Sequence, residues 1–529
     1  MSGTINVMTD KGEIQGFTQK VNGKTVYTFL GVPYAKPPVN DLRFSDTVNH
    51  DRWNGIKFTK KMPNACYQPR NDSNEFNFYY TQMWLPTNVM LSEDCLYLNI
   101  WTVRKKQKGL KLDLLGGEEE KNLPVMVWIH GGGFTRGSIS PEVLNGAYLS
   151  GYNDVVVVTI QYRLGIFGQL STSVNGNQGF KDQITAIRWV KRNIEEFGGS
   201  KDRITLFGND AGASSILLMS QKHNDTDLFQ QVIIQSPTLA FCKNSISLSS
   251  LTSSLGCPKY SAVTNNGYLQ CLRSIDPESL VFSEKQATLF HVNNKRYERN
   301  AFASSSQFYN HRNDVGERLL TIFNPVIENT SVANKVRIMF GYTKDEGSLE
   351  IVNRLPEFFK DKAGAPTVHK IGLSQRDVYD LLKGFLLPSS LIKDVALQYI
   401  ALEYDLLEGS PEEIFEKLNH LIGDLHVKCN INGLAKAEKG GLQFHVYSFE
   451  HRTTHKDVPK LLGVPRGSEI EYIFGAPFNP VFRKYFYNYT REEEELSRVM
   501  MKLWTNFASN GYVALHQNLP TFSFIFKFT

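Results

Sequence analysis

The sequence predicts an α/β fold built on a large, mostly parallel central sheet flanked by helices. Three observations carry this expectation: short β-branched apolar runs recur along the chain, amphipathic helical stretches separate them, and glycine-rich turns follow two of the runs directly. The runs are Val125–Ile129, Val155–Ile160, Ile204–Phe207, Val232–Ile234 and Val336–Phe340. They are apolar nearly throughout rather than alternating, which is how strands buried on both faces read. Between them, Gly179–Phe197 places Ile184, Ile187, Trp189, Val190, Ile194 and Phe197 at helical spacing. Strands alternating with helices imply right-handed crossovers between parallel neighbours. The last residues, PTFSFIFKFT, form a short β-prone segment.

Composition bounds the possibilities. The chain has 529 residues, 41% of them hydrophobic and 21% charged, which is globular and leaves ample chain for a core. The net charge is +5, from 58 Lys plus Arg against 53 Asp plus Glu. That balance is too weak and too evenly spread to argue for nucleic acid or a membrane surface. No apolar stretch approaches the roughly 18–20 residues a membrane span needs, so none is expected. The N-terminus, MSGTINVMTDKGEIQG, shows no basic region followed by an apolar one, so no secretory signal is visible. No internal repeat or low-complexity block stands out, and Val103–Asn122, with its opposite charge blocks, reads as a solvated loop.

Six cysteines are present: Cys66, Cys95, Cys242, Cys257, Cys271 and Cys429. None forms a C-x-x-C pair, so no zinc site is expected. Cys66 with Cys95, and Cys257 with Cys271, flank loops that a disulfide would close in an oxidising compartment, and six buried thiols is the other reading. Sequons at Asn71, Asn224, Asn329 and Asn488 are close in number to chance and carry little weight.

Two glycine clusters carry the chemistry. In Ile129-His130-Gly131-Gly132-Gly133-Phe134 a strand runs straight into glycines, which let backbone N–H groups approach a ligand closely, as in the oxyanion-hole turns of esterases and lipases. Alone it could be an ordinary tight turn. Further on, the strand from Ile204 enters Gly208-Asn209-Asp210-Ala211-Gly212 and then a helix, Ala213–Met219. That is a strand–elbow–helix with G-x-D-x-G where a hydrolase has G-x-S-x-G.

With these motifs the chain resembles the type-B carboxylesterase and cholinesterase family, from about residue 10 to about residue 525. FLGVPYAKPP at Phe29–Pro38, SEDCLYLNIW at Ser92–Trp101, QYRLGIFG, KDEG at Lys344–Gly347, EIEYIFG at Glu469–Gly475 and EEEELSRVMMKLWTNFASNG occur in the family's order. The resemblance implies an α/β-hydrolase fold in one domain over residues 1–529, without the family's last C-terminal helix. It implies disulfides Cys66–Cys95 and Cys257–Cys271, ion pairs Arg43–Glu93 and Arg163–Asp182, and a Cys429 without its usual partner. It also implies oxyanion-hole donors at Gly132, Gly133 and Ala211. Trp84 resembles the aromatic that holds quaternary ammonium groups in cholinesterases, with an apolar loop anchor as the other reading. An extracellular location and no cofactor follow from the same likeness.

The triad positions depart from the family. The serine is Asp210, the acid is retained as Glu346, and the histidine position holds Arg466. Asn209 stands where cholinesterases carry an acid, and Leu349 and Glu350 where they carry aromatics. A serine hydrolase needs a hydroxyl nucleophile, a base and a group that orients the base. An aspartate is ionised at neutral pH and could itself attack, as in haloalkane dehalogenases. Release of the resulting ester then needs a base to activate water, and a guanidinium does not lose its proton in proteins. His451 and His455 are the nearest histidines in sequence; their i, i+4 spacing also suggests a metal pair, but no Glu lies between them.

Paired substitution suggests a compensated site, with Arg466 bridging Asp210 and Glu346 and with Asp210 taking the oxyanion-hole N–H groups. The expected function is a binding or interaction protein for an unknown protein or small-molecule ligand, as in the neuroligins and neurotactin. The alternatives are a hydrolase using Asp210 as nucleophile and residual ester hydrolysis from the pocket. Ser214 and Ser215 are expected to face helix packing.

Overall fold

Among the described residues, twelve strands form the central sheet. In chain order they are β1 (Thr4–Met8), β2 (Glu13–Val21), β3 (Lys24–Pro33), β4 (Ile56–Phe58), β5 (Tyr97–Thr102), β6 (Leu123–Ile129), β7 (Val156–Ile160), β8 (Gly199–Asn209), β9 (Gln231–Gln235), β10 (Arg337–Thr343), β11 (Phe444–Phe449) and β12 (Phe524–Phe528). The computed structural model describes residues 3–70, 89–104, 122–170, 176–220, 226–237, 248–258, 267–292, 295–298, 336–354, 382, 394–429, 431, 444–455, 460–513 and 524–528. The spatial order is β1-β2-β3-β5-β7-β6-β8-β9-β10-β11-β12, with β4 beside β2. The six strands from β7 to β11 in this order pair in parallel. The two ends of the path are antiparallel.

Burial explains the sequence pattern. Every residue of β6, β7 and β9 is buried, so these strands read as continuous apolar runs. In β2 and β3 buried and part-exposed positions intermix, as on a sheet with one face toward water. Alternate residues of one strand serve two cores: Met126 and Trp128 pack on one face of the sheet with Phe207, Met339 and Tyr447. Val125, Val127 and Ile129 pack on the other with Leu206, Val232 and Ile234.

The helices used below are α1 (Gly165–Gln169), α2 (Gln178–Asn193), α3 (Ala211–Ser220), α4 (Pro277–Thr288), α5 (Ser348–Arg354), α6 (Pro411–Gly423), α7 (Ile470–Ile473) and α8 (Arg491–Asn510). The helix expected over Gly179–Phe197 is α2, but its last four residues tighten into a 3₁₀ turn that ends at Gly198, φ 75°. The boundaries of α8 are set by chemistry. Thr490 Oγ1 accepts from Glu493 N at 3.2 Å while Glu493 Oε2 accepts from Thr490 N at 2.9 Å, a reciprocal cap. Glu492–Glu494 complement the helix dipole, and Gly511 at φ 75° closes the helix. Its inner face buries Met500, Trp504 and Phe507 against the sheet, worth about 1.5–3 kcal/mol per side chain.

Cys66–Cys95 and Cys257–Cys271 are disulfides, and Cys429 forms none among the described residues. Arg43 pairs with Glu93 at 2.6 Å and Arg163 with Asp182 at 2.8 Å. Trp84, Cys242, Asn71, Asn224, Asn329 and most of the Val103–Asn122 loop lie outside the described residues. Among the described residues no helix is long and apolar enough to cross a membrane.

One buried carboxyl sets a pH dependence for the fold. Glu284 on α4 is 3% exposed, and its Oε2 accepts the Ile166 N–H of α1 at 2.9 Å. Burial pushes its pKa up from 4.5 to about 8, with that N–H opposing the rise. A folded-state pKa above the unfolded one favours the protonated fold. The contribution is therefore complete below about pH 4.5 and is lost as pH rises through about 8. Glu284→Gln should flatten the decline of Tm between pH 5 and pH 8.5 and raise Tm at the alkaline end, measured by thermal unfolding across that range. An unchanged slope contradicts this assignment.

Candidate functional site

The elbow is built by β8, α3 and two glycines. Asp210 sits between the last residue of β8 and the first of α3 at φ 54°, a left-handed conformation uncommon for an aspartate. The backbone is locked there: Asp210 N donates to Gln235 O at 3.0 Å, and Asp210 O accepts from Ser214 N at 2.9 Å. Close approach makes Gly212 obligatory, since a Cβ on it would stand 2.0 Å from Ile129 O. Ser214 Oγ turns back to Asp210 O at 3.0 Å, and Ser215 is fully buried. Ser214 thus turns onto its own helix, as expected.

The first glycine turn approaches the elbow from β6. Gly132, at φ 105°, and Gly133 both donate to Asp210 Oδ2, at 3.0 and 2.8 Å. Two backbone N–H groups thus converge on one carboxylate oxygen, in the geometry of an oxyanion hole whose ligand is the protein's own side chain. Ala211, the third implied donor, opens α3 directly behind Asp210.

Glu346 and Arg466 complete the cluster. Glu346 follows β10 and is almost wholly buried. Its Oε1 accepts from Thr343 N (2.7 Å), Thr343 Oγ1 (3.1 Å) and Ser236 Oγ (2.6 Å). Its Oε2 accepts from Arg466 Nε at 2.9 Å, while Arg466 Nη1 donates to Asp210 Oδ1 at 3.0 Å. One guanidinium therefore bridges two carboxylates. The loop that carries it is tied down by Asp345, whose N donates to Val464 O at 3.0 Å and whose Oδ2 accepts from Val464 N at 2.7 Å. Desolvation opposes the charge on Arg466, but Glu346, Asp210 and then Glu350 outweigh it and hold the guanidinium firmly protonated.

Three of the described histidines bear on whether a base could serve Asp210. His130 heads the glycine turn, its Nδ1 2.9 Å from Gly131 O and its ring stacked on Tyr162 at 4.3 Å. Burial lowers its pKa to about 4, too low for a useful base at neutral pH. His451 Nε2 is engaged by Glu493 of α8 at 3.1 Å, and His455 is exposed. Among the described residues no group of three or more His, Cys, Asp or Glu could hold a metal ion.

Two partners of the site escaped sequence reasoning. Glu350 on α5 pairs with His426 Nδ1 at 2.8 Å. The signal available was the acid at an aromatic position, which needs a partner once buried. Glu469 is the second. It is wholly buried beneath the elbow, and Oε1 accepts from Gln235 Nε2 at 2.9 Å and from Asn209 Nδ2 at 3.3 Å. Burial raises its pKa to about 7, with Gln235 opposing the rise.

Comparison with known proteins identifies the family. The model of the carboxylesterase family matches residues 3–523. The chain belongs to the carboxylesterase family. Within it, the chain is 32% identical to an acetylcholinesterase of Bungarus fasciatus over 96% of its length and 79% of the relative's. It is 34% identical to a cholinesterase of Mus musculus over the same shares. It is 31% identical to an acetylcholinesterase of Electrophorus electricus, over 96% of this chain and 80% of the relative.

For a carboxylesterase-family chain, the cost of this arrangement is specific. Removing the cation leaves Asp210 and Glu346 facing each other in a desolvated cleft, and breaking a buried pair in that way costs about 3–5 kcal/mol. Arg466→Met should lower stability by that amount in urea unfolding. Arg466→His should also destabilise, because an imidazole does not reproduce the two-pronged contact. Unchanged stability in both variants contradicts the bridging role.

Proposed function

We propose that this carboxylesterase-family protein lacks ester hydrolase activity and works as a binding or interaction protein for a protein or small-molecule partner. The observation that carries this reading is the Asp210 carboxylate. Its Oδ2 takes two oxyanion-hole N–H groups and its Oδ1 takes Arg466. A substrate carbonyl then meets filled donors, and a carboxylate so held is a poor nucleophile. Arg466 stays protonated throughout, so it neither takes nor gives a proton. Two disulfides and an exposed sequon at Asn488 support an extracellular, glycosylated protein.

The test is hydrolysis of p-nitrophenyl acetate and butyrate by the native chain, Asp210→Ala, and the double variant Asp210→Ser with Arg466→His. The native chain should be inactive and unlabelled by a fluorophosphonate probe. The double variant should gain both turnover and labelling, because the elbow and the glycine turn remain. Multiple turnover by the native chain, lost in Asp210→Ala, overturns the proposal in favour of Asp210 as a nucleophile.

A further inference from the structure

We propose that Asn488 carries an N-linked glycan whose first N-acetylglucosamine packs on the Phe486 ring, so that the sugar covers an apolar patch and stabilises the fold. The inference rests on the extracellular reading above. Asn488-Tyr489-Thr490 is a sequon, and Asn488 is exposed. The segment that carries it is pinned from inside. Tyr487 and Tyr489 are buried, and both hydroxyls donate to Glu471 Oε2 of α7. Burial alternates from Phe486 to Tyr489, as along extended chain, so Phe486 and Asn488 lie on the same outward side. Arg483 Nε donates to Asn488 Oδ1 at 3.4 Å, which holds the amide by its oxygen and not by Nδ2, the atom that bears a sugar.

The surface beside Asn488 is apolar. The short helix Pro480–Tyr485 and the residue after it expose Val481, Tyr485 (69%) and Phe486 (38%), with Val481 and Tyr485 one helical turn apart. Exposed apolar surface gathered in one place marks a contact site. Lys484 Nζ lies over the Tyr485 ring at 5.4 Å, so that ring already has a partner on its own helix. Phe486 is braced from within by Phe482, at 4.7 Å between ring centroids. Its exposed part lies two residues before the sequon asparagine. A pyranose ring presents C–H bonds on one face, and these pack on an aromatic ring while the sugar hydroxyls stay in water. The link from Asn488 is short, which keeps the first sugar beside Phe486 at high effective concentration. Transfer joins Asn488 Nδ2 to the anomeric carbon of a diphosphate-linked oligosaccharide. The anomeric C–O bond breaks, the diphosphate leaves with that electron pair, and the amide gives up one proton.

The experiment makes the full chain in animal cells behind a cleavable secretion leader, unchanged and as Phe486→Ala, Asn488→Gln and the double variant. Mass spectrometry of the peptide containing Asn488 should show the glycan. Thermal unfolding of the four proteins closes a double-mutant cycle, which subtracts the packing that Phe486→Ala removes from Phe482. Phe486→Ala should lower Tm by about 1–2 °C more with the glycan present than in the Asn488→Gln background. Trimming the glycan to a single N-acetylglucosamine with an endoglycosidase should leave that difference in place. Phe486→Leu, which keeps bulk and loses the flat face, takes the place of Phe486→Ala in the cycle if the alanine variant is not secreted. An unmodified Asn488 overturns the proposal together with the glycosylated reading. Equal Tm losses with and without the glycan overturn this proposal alone, and so does a difference that vanishes on trimming.

Discussion

The guanidinium of Arg466, shared between Asp210 and Glu346, is the interaction on which the rest of the site depends. It joins three segments far apart in sequence: the elbow after β8, the turn after β10 and the loop before α7. Buried ion pairs are weak evidence for stability against an apolar alternative, but they are costly to break from one side. That asymmetry couples the positions. An aspartate at the elbow without the arginine, or the arginine without the aspartate, leaves charge buried with too few partners. Asp210 and Arg466 are therefore one electrostatic unit, with Glu346 held in addition by Thr343 and Ser236 as donors.

The frame around this cluster is that of a hydrolase. The parallel strands end together, so the turn after β6, the elbow after β8 and the acid after β10 meet on one side of the sheet, as the fold requires. The elbow also keeps its left-handed backbone at residue 210. Such conformations persist only where surrounding structure over-determines them, and here the glycine packing and the Gln235 carbonyl do so.

Much of this was legible in the residues. Continuous apolar runs identified β6 to β10 because burial on both faces removes the polar alternation, whereas the sixth parallel strand, β11, was not read. Glycine spacing identified both turns because close approach or positive φ there favours a residue without a Cβ. The disulfide partners and the Arg43–Glu93 and Arg163–Asp182 pairs were legible through family likeness, not from spacing, which left the cysteines open. The antiparallel flank from β1 to β5 was not read, since its strands mix exposed and buried positions and carry no continuous run. Glu350 with His426 was missed because an ion pair between distant segments has no local pattern. Glu469 was read as part of a signature, and nothing in the sequence says that it lies against Gln235 across the sheet.

The filled oxyanion hole has a consequence for what the cleft recognises. Asp210 is a ligand tethered to its own receptor, and a tethered group competes at an effective concentration that free molecules in solution do not reach. A carbonyl or carboxylate from outside would have to displace a group that never diffuses away and that Arg466 holds from its other side. On the proposed reading, the position that would take an ester carbonyl is closed by the chain itself. On the same reading, selectivity passes to the walls and rim of the cleft.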